Sequence, residues 1–171
     1  MSGVMSLVGE PDGPPLRVGF PLVDMAAANS AVQAILLALY GRLTGHGGAN
    51  IDISLMAAAL ALMSAGYTRY LASGKVPLRQ GNQNTNLAPA GAFQAGDGRY
   101  LSLAVLRNEH WLKFCKAMGL EHLTEDARFA TNALRVEHRA VLDEIIVPLF
   151  ASQPADYWLE RLRAADILCG P

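Results

Sequence analysis

The chain has 171 residues, enough for one sizeable domain or two small ones. Hydrophobic residues make up 51% and the mean hydropathy is +0.21, while a net charge of −1 and the lack of a basic stripe interleaved with aromatics exclude nucleic acid as an electrostatic partner. The two cysteines, Cys115 and Cys169, are too far apart in sequence for a metal-ligand or disulfide pattern, so no metal is expected and cytoplasmic residence is the simple inference.

Residues 1–19 lack the basic start and apolar core of a secretory signal. Gly9, Pro11, Gly13, Pro14 and Pro15 predict an extended loop there. From Pro21 the sequence PLVDMAAANSAVQAILLALYGRL predicts a helix rich in Ala and Leu, both strong helix formers. Ala31, Ala34, Ile35, Ala38 and Leu39 recur at helical spacing, and Leu36, Leu37 and Tyr40 widen the apolar surface, so burial on most sides is expected. Polar interruptions keep the apolar stretches short of the roughly 20 residues that span a membrane, so no membrane partner is expected. Asp24 stands where this helix should begin. One reading is an N-cap, whose carboxylate accepts a bond from a first-turn N–H. The other is a carboxylate held ionised at a pocket mouth and able to act as a nucleophile. Spacing alone leaves both open. Arg42 and the glycines at 45, 47 and 48 end the helix. Ala49–Leu55 alternates Ile51, Ile53 and Leu55 with polar residues, a period-two strand pattern. Met56–Ala72 again reads as helix.

Tyr67–Pro89, with Gly74, Pro77, Gly81, Pro89 and Asn82, Asn84 and Asn86, reads as a linker or ordered loop. Gly91–Ala95 and Arg99–Val105 predict a hairpin across an Ala-Gly-Asp-Gly turn, which makes Asp97 a turn residue. Glu109–Met118 predicts a helix with Trp111, Phe114 and Cys115 on one face, Cys115 being a core thiol and His110 a surface residue. A turn of helix is expected at Glu125–Phe129 and one long amphipathic helix at Thr131–Phe150, bent or ended by Pro148. Glu137, Arg139, Asp143 and Glu144 read as a solvated face. Pro154 suits the start of a last helix through Arg163.

Taken together, PLVDMA, the long Ala/Leu helix, RLTGHGGANIDISL, RQGN, GAFQAGDGRYLSLAV, ARFATNALRVEHRAVL and the final CGP resemble the class III coenzyme A transferases, the family of formyl-CoA transferase and carnitine CoA-transferase. The resemblance covers nearly the whole chain. It implies an α/β fold, part of a Rossmann-like CoA-transferase large domain followed by a small α+β domain. The boundaries expected are residues 1–70 for the partial large domain, 71–90 for a linker or active-site loop, and 91–171 for the small domain. The chain is thus expected to be an internal fragment beginning in mid-domain.

The resemblance further implies that Asp24 is the catalytic nucleophile. It would form a mixed anhydride with an acyl-CoA, then an enzyme-bound CoA thioester, and would finally pass CoA to an acceptor carboxylic acid. Gly81 and Asn82 match the family's Gly-Asn pair and are the candidate substrate- or CoA-binding residues; Lys75 and Arg79 are candidates to meet a CoA phosphate. The thioester of coenzyme A is a substrate, and no permanently bound cofactor is implied. Family members are interlocked homodimers, so a homodimer is expected. The chain departs from the family pattern at Ala26-Ala27-Ala28-Asn29, where a glycine is common, and at Gly45-His46-Gly47-Gly48, where a titratable His46 stands in place of a lysine. Two other readings are a 2-methylacyl-CoA racemase, against which Met25-Ala26-Ala27 argues, and a catalytically silent fragment serving as a structural or interaction module.

Overall fold

The computed structural model describes residues 2–171 and divides the chain into two compact units, one ending at Gly81 and one running from Asn82 to Pro171. The division falls within the 71–90 segment expected to be a linker.

In the first unit a short 3-10 helix, Val4–Leu7, interrupts the loop expected at the N-terminal end. Helix α1 spans Leu22–Leu43, α2 spans Leu55–Leu62 and α3 spans Ser64–Ser73. The single helix predicted over Met56–Ala72 is therefore two, interrupted at Met63, where φ is −92° and ψ is 10°. Ser54 caps α2 by accepting a bond from the Ala57 N–H at 3.3 Å. α1 packs on α2, and among the described residues Ala27, Ala58 and Ala59 are the buried hydrophobic residues of this unit.

The structure corrects three expectations in this unit. α1 is not buried on most sides: Leu37 is 71% and Leu43 86% exposed, and Ile35, Leu36, Leu39 and Tyr40 are exposed as well. Its 22 residues form one unbroken helix with a mean hydropathy of 1.6 over its most apolar window, so Asn29, Ser30 and Gln33 do not shorten it below membrane-spanning length. Residues 49–54 form no strand, although Ser54 is extended. A strand is defined by its ladder, and among the described residues no neighbour pairs with this segment.

The second unit holds a three-stranded antiparallel sheet in the order β1 (Ala90–Gln94), β2 (Tyr100–Ala104), β3 (Leu168–Gly170). Register pairs Ala92 with Ser102 and Leu103 with Cys169. The β1–β2 turn is the predicted one. Asp97 accepts from the Arg99 N–H at 3.1 Å and from the Ala155 N–H at 3.2 Å, so it also anchors the backbone at Ala155. Helix α4 (Asn108–Met118) ends on Gly119, whose φ of 71° supplies the left-handed stop. Two 3-10 turns, Glu121–Thr124 and Ala127–Phe129, lead to α5 (Asn132–Glu137), α6 (Arg139–Phe150) and α7 (Ala155–Ala164). The helix predicted over Thr131–Phe150 thus breaks at His138, and Pro148 sits within the last turn of α6.

The core of this unit gathers Phe93, Leu101, Leu103, Val105, Phe114, Phe129, Leu142, Ile146 and Leu162. Phe93 stacks on Phe150 at 5.0 Å between centroids, and Trp158 meets Phe150 edge-on at 5.5 Å. Trp158 donates its indole N–H to the Phe150 carbonyl at 2.9 Å, whereas the buried Trp111 indole N–H has no partner among the described residues. Cys115 is a core thiol as expected, its pKa pushed up to about 12 by burial.

Candidate active site

Helix α1 begins two residues before Asp24. Pro21 is the N-cap, with its carbonyl accepting from the Met25 N–H at 3.0 Å. Asp24 is therefore the third helical residue and not the cap, which corrects the first of its two readings. The first turn of a helix leaves N–H groups without intrahelical partners, and the positive end of the dipole favours an ionised carboxylate there. The Asp24 side chain is exposed and makes no hydrogen bond or ion pair among the described residues. It is thus an uncommitted carboxylate with both oxygens open to a reactant. Ala27, one turn on, is buried against the unit, and Ser30 bonds back to the Ala26 carbonyl at 3.0 Å. The alanine run therefore packs the helix start while Asp24 projects from it.

Gly81 adopts φ +56°, donates its N–H to the Gly9 carbonyl at 3.0 Å, and has Glu10 Oε2 where a β-carbon would fall, 2.5 Å away. Asn82 fixes its backbone by accepting from the Ala92 N–H at 3.0 Å, while its side chain is exposed and unbonded among the described residues. No hydrogen bond joins Asp24 to Gly81 among the described residues, and Asn82 belongs to the other unit. Arg79 is not a free cation for phosphate: its guanidinium donates to the Glu10 carbonyl at 3.1 Å and the Gly13 carbonyl at 2.7 Å. Among the described residues the Lys75 ammonium has no such partner. His46 serves the turn that ends α1, with Nδ1 3.0 Å from Thr44 Oγ1 and its N–H on the Gly41 carbonyl. Among the described residues no group of three or more His, Cys, Asp or Glu side chains is placed to hold a metal ion.

Sequence reasoning missed Arg135, which is fully buried and lies 4.9 Å from the Trp111 ring centroid. It donates to the Ala88 carbonyl at 2.8 Å, the Phe129 carbonyl at 2.9 Å and Asn108 Oδ1 at 3.3 Å. Arg139, read as part of a solvated face, is instead half-buried and donates to Gln83 Oε1 at 2.9 Å and to the Asn84 and Leu87 carbonyls at 2.6 and 2.5 Å. Burial lowers the pKa of both guanidiniums and raises that of Asp143, another member of the face read as solvated.

The family model for CoA-transferase family III matches residues 1–171. An acyl-CoA transferase of Fusarium pseudograminearum is 36% identical over 170 residues, covering 99% of this chain and 37% of that protein. The acetyl-CoA:oxalate CoA-transferase of Acetobacter aceti is 35% identical over 173 residues, covering 100% of this chain and 44% of its own length. The crystal structure of a CAIB/BAIF family protein from Brucella suis superposes with a TM-score of 0.77 at 33% identity, covering 99% of this chain and 45% of that one. The chain belongs to CoA-transferase family III, with the α/β fold of that family, and it spans about two fifths of the length of the relatives it matches.

Proposed function

We propose that this chain carries the nucleophile of a CoA transfer between an acyl-CoA and a carboxylic acid, and that the nucleophile is Asp24. The observation that carries the reading is an exposed carboxylate, unpaired among the described residues, in the first turn of α1, in a chain that matches the family model from end to end. An Asp24 oxygen attacks the thioester carbonyl, the C–S bond breaks, and CoA leaves as its thiolate, giving a mixed anhydride. The thiolate attacks the aspartyl carbonyl of that anhydride, releasing the donor carboxylate and leaving an aspartyl-CoA thioester. The acceptor carboxylate attacks this thioester and expels thiolate again. Thiolate then attacks the acceptor's acyl carbon, yielding the new acyl-CoA and free Asp24. Charge develops on oxygen at each step, and first-turn N–H groups are suited to meet it.

Asn82 and Gly81 are proposed to line the substrate side, Asn82 through its unbonded amide. Acetyl-CoA and oxalate, named for the Acetobacter aceti relative, are the first donor and acceptor to try. We read the chain as a cytoplasmic homodimer that uses neither nucleic acid nor membrane, in which α1 packs against protein; a sharp monomeric peak by light-scattering chromatography at low concentration overturns the dimer.

Calorimetry of acetyl-CoA binding, followed by hydroxylamine trapping of the acylated aspartate, tests the reaction. Unsubstituted protein is expected to yield a hydroxamate at residue 24 by mass spectrometry, and Asp24→Ala none. Trapping at any other residue, or no binding at millimolar ligand, overturns the assignment to this chain.

A further inference from the structure

Asn132, Arg135 and Arg139 follow one another at spacings of three and four, the spacing that aligns side chains on one helical face, and this alignment persists across the break at His138. All three reach the same stretch of chain. Asn132 brackets it, its Nδ2 donating to the Asn86 carbonyl at 2.8 Å while its Oδ1 accepts from the Ala88 N–H at 3.1 Å. Arg135 takes the Ala88 carbonyl, and Arg139 takes Gln83 Oε1 with the Asn84 and Leu87 carbonyls. The stretch has little repetitive structure of its own, only a bridge from Gln83 to Gly91 and an Asn84 side-chain turn that accepts from the Asn86 and Leu87 N–H groups at 2.8 and 3.2 Å. The carbonyls of Asn84, Asn86, Leu87 and Ala88 are therefore met by these side chains. No carboxylate is hydrogen-bonded to either guanidinium among the described residues; both donate to backbone carbonyls and to one side-chain amide oxygen each.

We infer that Asn132, Arg135 and Arg139 are positioning residues that clamp residues 83–88 and thereby hold Asn82 in its binding geometry. Asn82 heads the clamped stretch, with its carbonyl on the Ala92 N–H at 3.0 Å, and among the described residues its exposed side chain makes no hydrogen bond. A planar guanidinium fork is what three convergent acceptors require, and an ammonium cannot replace it. The inference rests on the reading of Asn82 as a substrate-side residue, and its test separates the two.

Hydrogen exchange and acetyl-CoA calorimetry are measured on the 171-residue chain and on Arg139→Gln, Arg139→Lys, Asn82→Ala and the double variant Asn82→Ala/Arg139→Gln. Loss of charge-assisted bonds is expected to speed exchange at the amides of residues 84–88 about tenfold, with α4 amides unchanged as the folding control. Acetyl-CoA affinity should fall in Arg139→Gln, and Arg139→Lys should not restore it. The double variant should bind no more weakly than Asn82→Ala alone, because the clamp acts through Asn82. Unchanged exchange at 84–88, or additive losses in the double variant, overturns the clamp. Unchanged affinity in Asn82→Ala overturns the substrate-side reading of Asn82 and with it the clamp's role in binding, while faster exchange in Arg139→Gln would still establish the clamp itself. Arg139→Lys keeps the charge and the stem, so the exchange result is readable even if Arg139→Gln unfolds.

Discussion

Arg135 shows what a single side chain can decide in this molecule. Its fully buried guanidinium supplies the donors for the Ala88 and Phe129 carbonyls. Arg135→Leu should therefore cost about 2–4 kcal/mol in urea unfolding, because two buried carbonyls lose their donor. Arg135→Lys should recover little, since one ammonium cannot span three acceptors. In the sequence Arg135 was invisible: ALRVEHRA reads as the polar side of an amphipathic helix, and nothing local marks an arginine whose partners lie in another segment. Asp24 was visible by type and position, yet its place in the first turn rather than at the cap depends on Pro21, whose carbonyl opens the helix three residues earlier. A different acid contributes to the response to pH. The Arg128 side-chain hydrogen bond pulls Asp126 down to about 2 from an ordinary 3.8. The unfolded chain then binds more protons than the folded one between those values, so this contribution is complete above about pH 4 and lost as the pH falls toward 2. Asp126→Asn should flatten the acid limb of urea midpoint against pH over that window, by lowering the midpoint above about pH 4 while leaving the value near pH 2 almost unchanged.

Among the elements, those with punctuation at both ends were legible. The hairpin had Gly96-Asp97-Gly98 between two apolar runs, and α4 had Gly119 after its last apolar position. The breaks at Met63 and His138 had no glycine or proline to announce them, so two helix pairs read as single helices. Ala49–Leu55 carried the strand alternation without a partner to pair with, and periodicity reports a face, not a ladder. Burial was misjudged for α1 because a helix apolar all round fits either a core or an uncovered surface. Gly91 holds the start of β1 in register: at φ +153° its missing β-carbon would strike the Asn82 carbonyl. Gly91→Ala should destabilise the second unit by about 2 kcal/mol or more and disturb the Asn82–Ala92 bond, visible as faster exchange of the Ala92 amide. By contrast Leu43→Gln, at an 86% exposed position, should shift unfolding by less than about 0.5 kcal/mol.

At the scale of the whole molecule the two units are unequal. The large apolar core belongs to residues 82–171, whereas the first unit buries only three alanines among its described hydrophobic residues. Stability should divide the same way, and brief trypsin digestion is expected to cut first at sites such as Arg42, Arg69 and Lys75, leaving a resistant piece that contains residues 82–171. Survival of α1 beyond that piece would contradict the division. Both tryptophans, Trp111 and Trp158, lie in the resistant half, and the first unit has Phe20, Tyr40, Tyr67 and Tyr70 but no tryptophan. Emission excited at the red edge of the indole band is therefore a one-sided gauge. It reads the environment beneath the Arg135 guanidinium and beside Phe150, and is silent on the half that carries Asp24.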